Sequence, residues 1–217
     1  NWQNHCGIAT APIITAVQFK IPLIIWGETE WDVAGMYQPD NYVEFTARAR
    51  HEHANRGFEW EDFINDPVDK LTEKDLIWAK YPSDIEILKV GIRGLYIGNF
   101  FSWDSRKHVE IVKKKYSWKP SQKPFDRTYR DYSNLDDMYE NGIHDLLKFI
   151  KFGYGRCTDH ASKDIRNGHM SREDGVKLVK KYDHIVPSDL QHWLDYVEMK
   201  ALEFWQIADT FRDPRVW

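Results

Sequence analysis

Ile21-Pro22-Leu23-Ile24-Ile25-Trp26, closed by Gly27, is the longest apolar run in the chain and limits the fold more than any other segment. An apolar run of about four to eight residues bounded by proline and glycine reads as a strand covered on both faces, as in a parallel sheet. It falls far short of the roughly 20 residues that cross a bilayer, and no charged-then-apolar signal region precedes it. Upstream, residues 8–19 carry Ile8, Ile13, Ile14, Val17 and Phe19 at helical spacing, with Pro12 tolerated only if it lies in the first turn. Helix then strand is half of a crossover unit, so the class is α/β. Gly94–Phe101, aromatic and β-branched between glycines, reads as a second strand. Asp104 or Ser105 caps a helix over 106–116 whose apolar face is Val109, Ile111 and Val112. Between the strands, residues 33–90 read as a mostly helical insertion.

The carboxyl half reads differently. Residues 117–134 hold two prolines and several turn formers and predict a long functional loop. Helices follow at 135–152, 171–182, 188–199 and 200–211, with Ser171 capping one and Ser188-Asp189 opening another. The division expected is therefore 1–116, an α/β region with its insertion, and 117–217, a loop plus helical subdomain. Gly153-Tyr154-Gly155-Arg156-Cys157-Thr158-Asp159-His160, running on to Asp164-Ile165-Arg166-Asn167-Gly168, crowds glycine, arginine and aspartate between amphipathic helices. Such a stretch reads as a loop for an anionic or polar ligand.

Charge excludes some functions. With 30 Lys and Arg against 34 Asp and Glu, the net charge of -4 offers no general attraction to nucleic acid or anionic membrane. Two cysteines, Cys6 and Cys157, in a chain without a secretory feature read as reduced thiols of a cytoplasmic protein. Neither belongs to a Cys-x-x-Cys pair, and His51 and His53 point apart on a helix, so no metal site is expected. Three sites remain for ligands. Gly27-Glu28-Thr29-Glu30-Trp31-Asp32 sits where open α/β sheets bind ligands, and its carboxylates could take a ribose hydroxyl, a magnesium ion or a proton, or form a solvated acidic turn. Arg127 and Arg130, interleaved with Phe125, Tyr129 and Tyr132, could hold phosphates or a nucleotide sugar. Lys151, Gly153, Tyr154, Gly155 and Arg156 form the third group.

Taken together, Asn1–Gly7, Lys20–Glu28, Asn99–Asp104, Arg127–Arg130, Ser133–Asp137, Lys151–Arg156 and Asp164–Gly168 resemble the N-acetyl sugar amidotransferases of surface-polysaccharide biosynthesis, in the PP-loop ATP pyrophosphatase superfamily. The resemblance implies a partial Rossmann-like, adenine nucleotide alpha hydrolase-like parallel sheet with a helical C-terminal subdomain. It implies ATP with Mg2+, a nucleotide-linked N-acetyl sugar as substrate, and a glutaminase subunit that delivers ammonia, since free ammonium is protonated at neutral pH. ATP would adenylate the acetamido oxygen and ammonia would displace AMP, leaving an acetamidino sugar. Gly27, Glu28 and Asp32 would border the nucleotide, while Arg127, Arg130, Lys151, Gly153, Tyr154, Gly155 and Arg156 would hold phosphate or sugar. For Arg156 the other reading is an ion pair with Asp159 or Asp164 that fixes the loop.

The defining Ser-Gly-Gly-x-Asp-Ser loop has no counterpart here, as no Gly-Gly pair occurs. Its absence, with an opening at Asn1, gives the expectation of the C-terminal part of something longer, inactive on ATP by itself. No general base is singled out, and a homo-oligomer is possible. The alternatives are a non-catalytic ligand- or partner-binding module and a tRNA-thiolating relative; the acidic balance and unpaired Cys6 disfavour the latter.

Overall fold

A computed structural model describes residues 2–27, 47, 50–64, 70–133 and 141–217. It divides into two compact units, Asn1–Trp103 and Asp104–Trp217. Among the described residues both are mainly helical, and the two strands lie in the first.

In the first unit, helix α1 spans Trp2–Phe19 and starts a turn and a half earlier than the Ile and Val pattern predicts. Its buried positions are Cys6, Ala9, Thr10, Ile13 and Ala16, spaced three and four apart. Most are small, which lets neighbouring backbone approach: Cys6 Sγ lies 3.9 Å from the Ala79 carbonyl. The early start puts Pro12 in the helix interior, where it removes a backbone donor beneath an Ile8 that is exposed to water. Lys20, in the left-handed region at φ 56°, ends the helix and turns the chain into β1 (Leu23–Trp26). β1 pairs in parallel with β2 (Arg93–Tyr96), with Leu23 opposite Arg93 and Trp26 opposite Tyr96. The parallel pairing agrees with the reading of the apolar run, but the expected cover on both faces does not appear: Leu23 and Ile25 are exposed, and Ile24 and Trp26 only partly buried, because the described sheet has two strands. The second strand stops earlier than predicted because a 3-10 turn takes over at Ile97–Asn99.

Within the described part of the segment between the strands, helices are short: a π turn at Arg50–Ala54, 3-10 turns at Trp60–Phe63 and Ile77–Ala79, and α2 at Asp84–Val90. Aromatic packing holds these turns, with the Trp2 ring 4.3 Å from Phe63 and 6.0 Å from Trp78. α2 carries a capping box between Ser83 and Glu86 and ends at Gly91 in the left-handed region.

The second unit opens with α3 (Ser105–Tyr116), capped by Asp104 through Arg106 N at 3.1 Å and Lys107 N at 3.4 Å. It continues with α4 (Asn141–Phe152), α5 (Arg156–Arg166), α6 (Arg172–Tyr182), α7 (Leu190–Tyr196) and α8 (Ala201–Asp209). Ile143, Leu146 and Ile150 of α4 meet Leu194 of α7 and Phe204 and Ala208 of α8 in one apolar core. Ser171 caps α6 by accepting from Asp174 N at 3.1 Å, as its position predicts. α5 is the departure: the glycine- and charge-rich stretch read as a loop is a helix from Arg156 onward, packed against α6.

Candidate functional site

The polar interior of the second unit is organised by three buried aspartates, each meeting one of the segments singled out above. Gly155 occupies the N-cap of α5 and has no side chain to satisfy the first-turn N–H groups. Asp183, at the end of α6, supplies it from outside. Its carboxylate accepts from Gly155 N (2.9 Å), Cys157 N (2.9 Å), Thr158 N (3.3 Å) and the Thr158 hydroxyl (2.5 Å). A Cβ on Gly155 would stand 2.9 Å from Asp183 Oδ1, so glycine permits this approach. The helix terminus suited to an anion thus already holds one.

Asp164, 1% exposed on the inner face of α5, is the second hub. Arg106 of α3 binds it in a two-pronged pair at 3.0 and 2.7 Å, Arg130 donates at 2.5 Å, and the Tyr129 hydroxyl donates at 2.5 Å. Burial alone would raise its pKa; the hydrogen bonds from Arg106 and Tyr129 and the Arg130 charge outweigh that and hold it below the usual carboxylate range. One turn away, His160 places Nδ1 2.7 Å from Thr128 Oγ1 and Nε2 3.3 Å from Ser133 Oγ. Burial, helped by the charges of Arg130, Arg156 and Lys163, pushes its pKa down to about 3, so it is a neutral ring with hydroxyl partners at both nitrogens.

Asp145 of α4 is the third hub and takes Arg156, at 3.0 Å from Nε and 2.8 Å from Nη2. Desolvation opposes its charge, but His144 and Arg156 lower its pKa overall. The partner of Arg156 is therefore neither Asp159 nor Asp164. Asp159 pairs instead with Lys148 at 2.5 Å.

Arg127 is 2% exposed and gives its terminal nitrogens to the carbonyls of Ile185 and Asp183, with its guanidinium 5.4 Å from the centre of the Phe149 ring. Lys151 is exposed at the end of α4, its ammonium 5.2 Å from the Phe152 ring centre, and Tyr154 lies under Lys148. Gly153 ends α4 at φ 75°. Gly27 follows β1 in the first unit with open space where a Cβ would stand, while Glu28, Asp32 and the Asn134–Asp137 motif lie outside the described residues.

An adenine nucleotide with magnesium would need open donors for its phosphates. Among the described residues, Arg127, Arg130 and Arg156 face internal oxygens, and the first turn of α5 carries Asp183. These residues do not form a phosphate cradle, and no step through ATP is assigned to them. No group of three or more His, Cys, Asp or Glu among the described residues could hold a metal ion, and no described helix is long and apolar enough to cross a membrane.

Sequence reasoning missed Asp183, Asp145 and Arg106. Their partners lie 11 to 58 positions away, and only the helical spacing of Cys157, His160, Ala161 and Asp164 offered a local signal.

Residues 109–217 match the family model described as LPS biosynthesis protein WbpG-like, C-terminal domain. No match is found among curated proteins.

Proposed function

The chain belongs to the family of WbpG-like LPS biosynthesis proteins, and from that premise we propose that it is the C-terminal part of an N-acetyl sugar amidotransferase. Such an enzyme exchanges the acetamido oxygen of a nucleotide-linked sugar for nitrogen. The observation that carries the reading is the span of the match, which takes in Arg127–Arg130, Lys151–Arg156 and Asp164–Gly168, the motifs of the amidotransferase resemblance. In this reading the α/β part is of the adenine nucleotide alpha hydrolase-like type, with Gly27, Glu28 and Asp32 bordering the nucleotide. The phosphate loop and its ATP chemistry are assigned to polypeptide outside these residues, and ammonia to a glutaminase partner.

The arginines take a different part from the one their residue type suggests. Arg130 and Arg156 fix α5 against α3 and α4, so they shape the site rather than hold phosphate. This inward pairing also favours a second reading, a module that binds a sugar ligand or a partner without catalysing the exchange.

Deletion of the gene in its native host, followed by mass spectrometry of the LPS sugars, tests the first reading. Loss of an acetamidino group, restored by the intact gene, is expected. Unchanged acetamidino content in the deletion strain overturns it.

A further inference from the structure

Among the helices described in the second unit, α3 alone has no buried residue. It is held at its first turn, by the Asp104 cap and by the pair of Arg106 with Asp164. Beyond that turn only Val109 and Val112 reach partial cover. A helix of 12 residues gains little stability from its own backbone, so a side left bare to this extent is open to a partner.

The outward side has a definite chemistry. Ile111 is 48% exposed, and helical spacing sets Lys107 four positions before it and Lys114 and Lys115 three and four after it, so these exposed lysines share its face. Tyr116, 73% exposed, closes the helix; Ser117 ends it in the left-handed region at φ 54°, and Trp118 follows, 40% exposed. From Lys107 to Lys123 the sequence holds six lysines and a single acid, Glu110, although the net charge of the whole chain is -4. The sign of the charge is therefore reversed locally, on a surface that also shows apolar groups to water.

Such a concentration of lysine selects an anionic partner, and the apolar groups narrow the choice. A nucleic acid gains from the lysines and nothing from Ile111. Interfaces between proteins are depleted in lysine. Lysine beside tryptophan, tyrosine and an aliphatic residue on one short helix is the composition that lies on an anionic bilayer, with rings and aliphatic stems among the headgroups and ammonium groups at the phosphates.

We propose that α3 and the turn after it form a docking surface for an anionic lipid bilayer, with Lys107, Lys114 and Lys115 against lipid phosphates and Ile111, Tyr116 and Trp118 among the headgroups. The contact is peripheral and reversible, since so few apolar groups bury little area. It goes beyond the amidotransferase reading and rests on no part of it.

Co-sedimentation of the full chain with vesicles of phosphatidylglycerol and phosphatidylcholine in equal parts, beside vesicles of phosphatidylcholine alone, tests the surface. Binding to the mixed vesicles only, weakening as salt is added, is expected. The triple variant Lys107→Gln, Lys114→Gln, Lys115→Gln is expected to bind about a hundredfold more weakly, about fivefold for each lysine. Ile111→Gln is expected to bind more weakly with the salt dependence unchanged. The same loss of charge on α6, in Lys177→Gln, Lys180→Gln, Lys181→Gln, is expected to leave binding within about twofold of the parent. Each variant should melt cooperatively, because the replaced side chains are exposed and glutamine suits a helix. No binding to the mixed vesicles overturns the proposal, as does an equal loss in the α6 variant, which would make the attraction one of overall charge. Binding to polyglutamate in solution that matches the vesicles and ignores Ile111→Gln also overturns it, and gives the lysines to a soluble acidic partner.

Discussion

Asp183 holds together a helix of which it is not a part. Its carboxylate answers backbone donors at Gly155, Cys157 and Thr158, and its own carbonyl accepts a hydrogen bond from Arg127. Asp183→Ala would strand those N–H groups in a buried place, and a loss of about 3 kcal/mol is expected from urea unfolding. Added sulfate should raise the melting temperature of that variant more than that of the parent, because the vacated helix terminus regains an anion site; equal shifts would show that the terminus is not free to take one. His160 offers a test by pH. Its pKa of about 3 in the fold lies below the ~6.5 of an unfolded histidine. The unfolded chain therefore binds a proton that the native chain excludes, and stability rises with pH between the two values. The contribution is complete above about pH 6.5 and is lost as pH falls, at about 1.4 kcal/mol per pH unit. Stability measured between pH 6 and 5 should fall less steeply in His160→Gln by about that amount, and equal slopes would locate the proton uptake elsewhere.

Among the elements, those whose signals are local were legible beforehand. Asp104 and Ser171 cap the helices that follow them, and the run Leu23–Trp26 pairs in parallel. α5 was not legible as a helix because its buried stripe is Cys157, His160, Ala161 and Asp164. The spacing is helical, but two of the four are polar, and they are inside only because Thr128 and Arg130 meet them there. The same long-range pairing hid the site: Arg127, Arg130 and Arg156 have the residue type of phosphate ligands, and no neighbour in sequence reveals that Ile185, Asp164 and Asp145 face them. α1 likewise extends past Pro12 because small residues packed under Trp78 and Ala79 outweigh a lost donor. The end of α4 yields a sharper test. Gly153 has φ 75°, and an added Cβ would stand 2.2 Å from Val216 Cγ1. Gly153→Ala is expected to cost about 1–2 kcal/mol in thermal unfolding. Combining it with Val216→Ala should recover the steric part and leave the backbone part, whereas full recovery would mean that left-handed geometry costs nothing here.

At the scale of the whole molecule, the boundary after Trp103 and the family match beginning at residue 109 differ by a few residues that matter. Asp104 caps α3 and meets His169 at 2.9 Å, and Arg106 is one of the two cations on Asp164. A fragment of residues 104–217 is therefore expected to melt cooperatively, while one of residues 109–217 should be less stable by about 3 kcal/mol, the scale for leaving a buried pair broken. Equal melting curves would show that Arg106 adds little. Cys6 and Cys157, both free and wholly buried, fall one in each unit. Burial raises both thiols, Cys157 up to about 12, so neither reacts until its surroundings open. The chain thus carries a separate chemical clock in each half. With Cys157→Ala or Cys6→Ala, the labelling rate of the remaining thiol reads the opening free energy of one unit alone, and two unequal rates would reveal which half gives way first under strain.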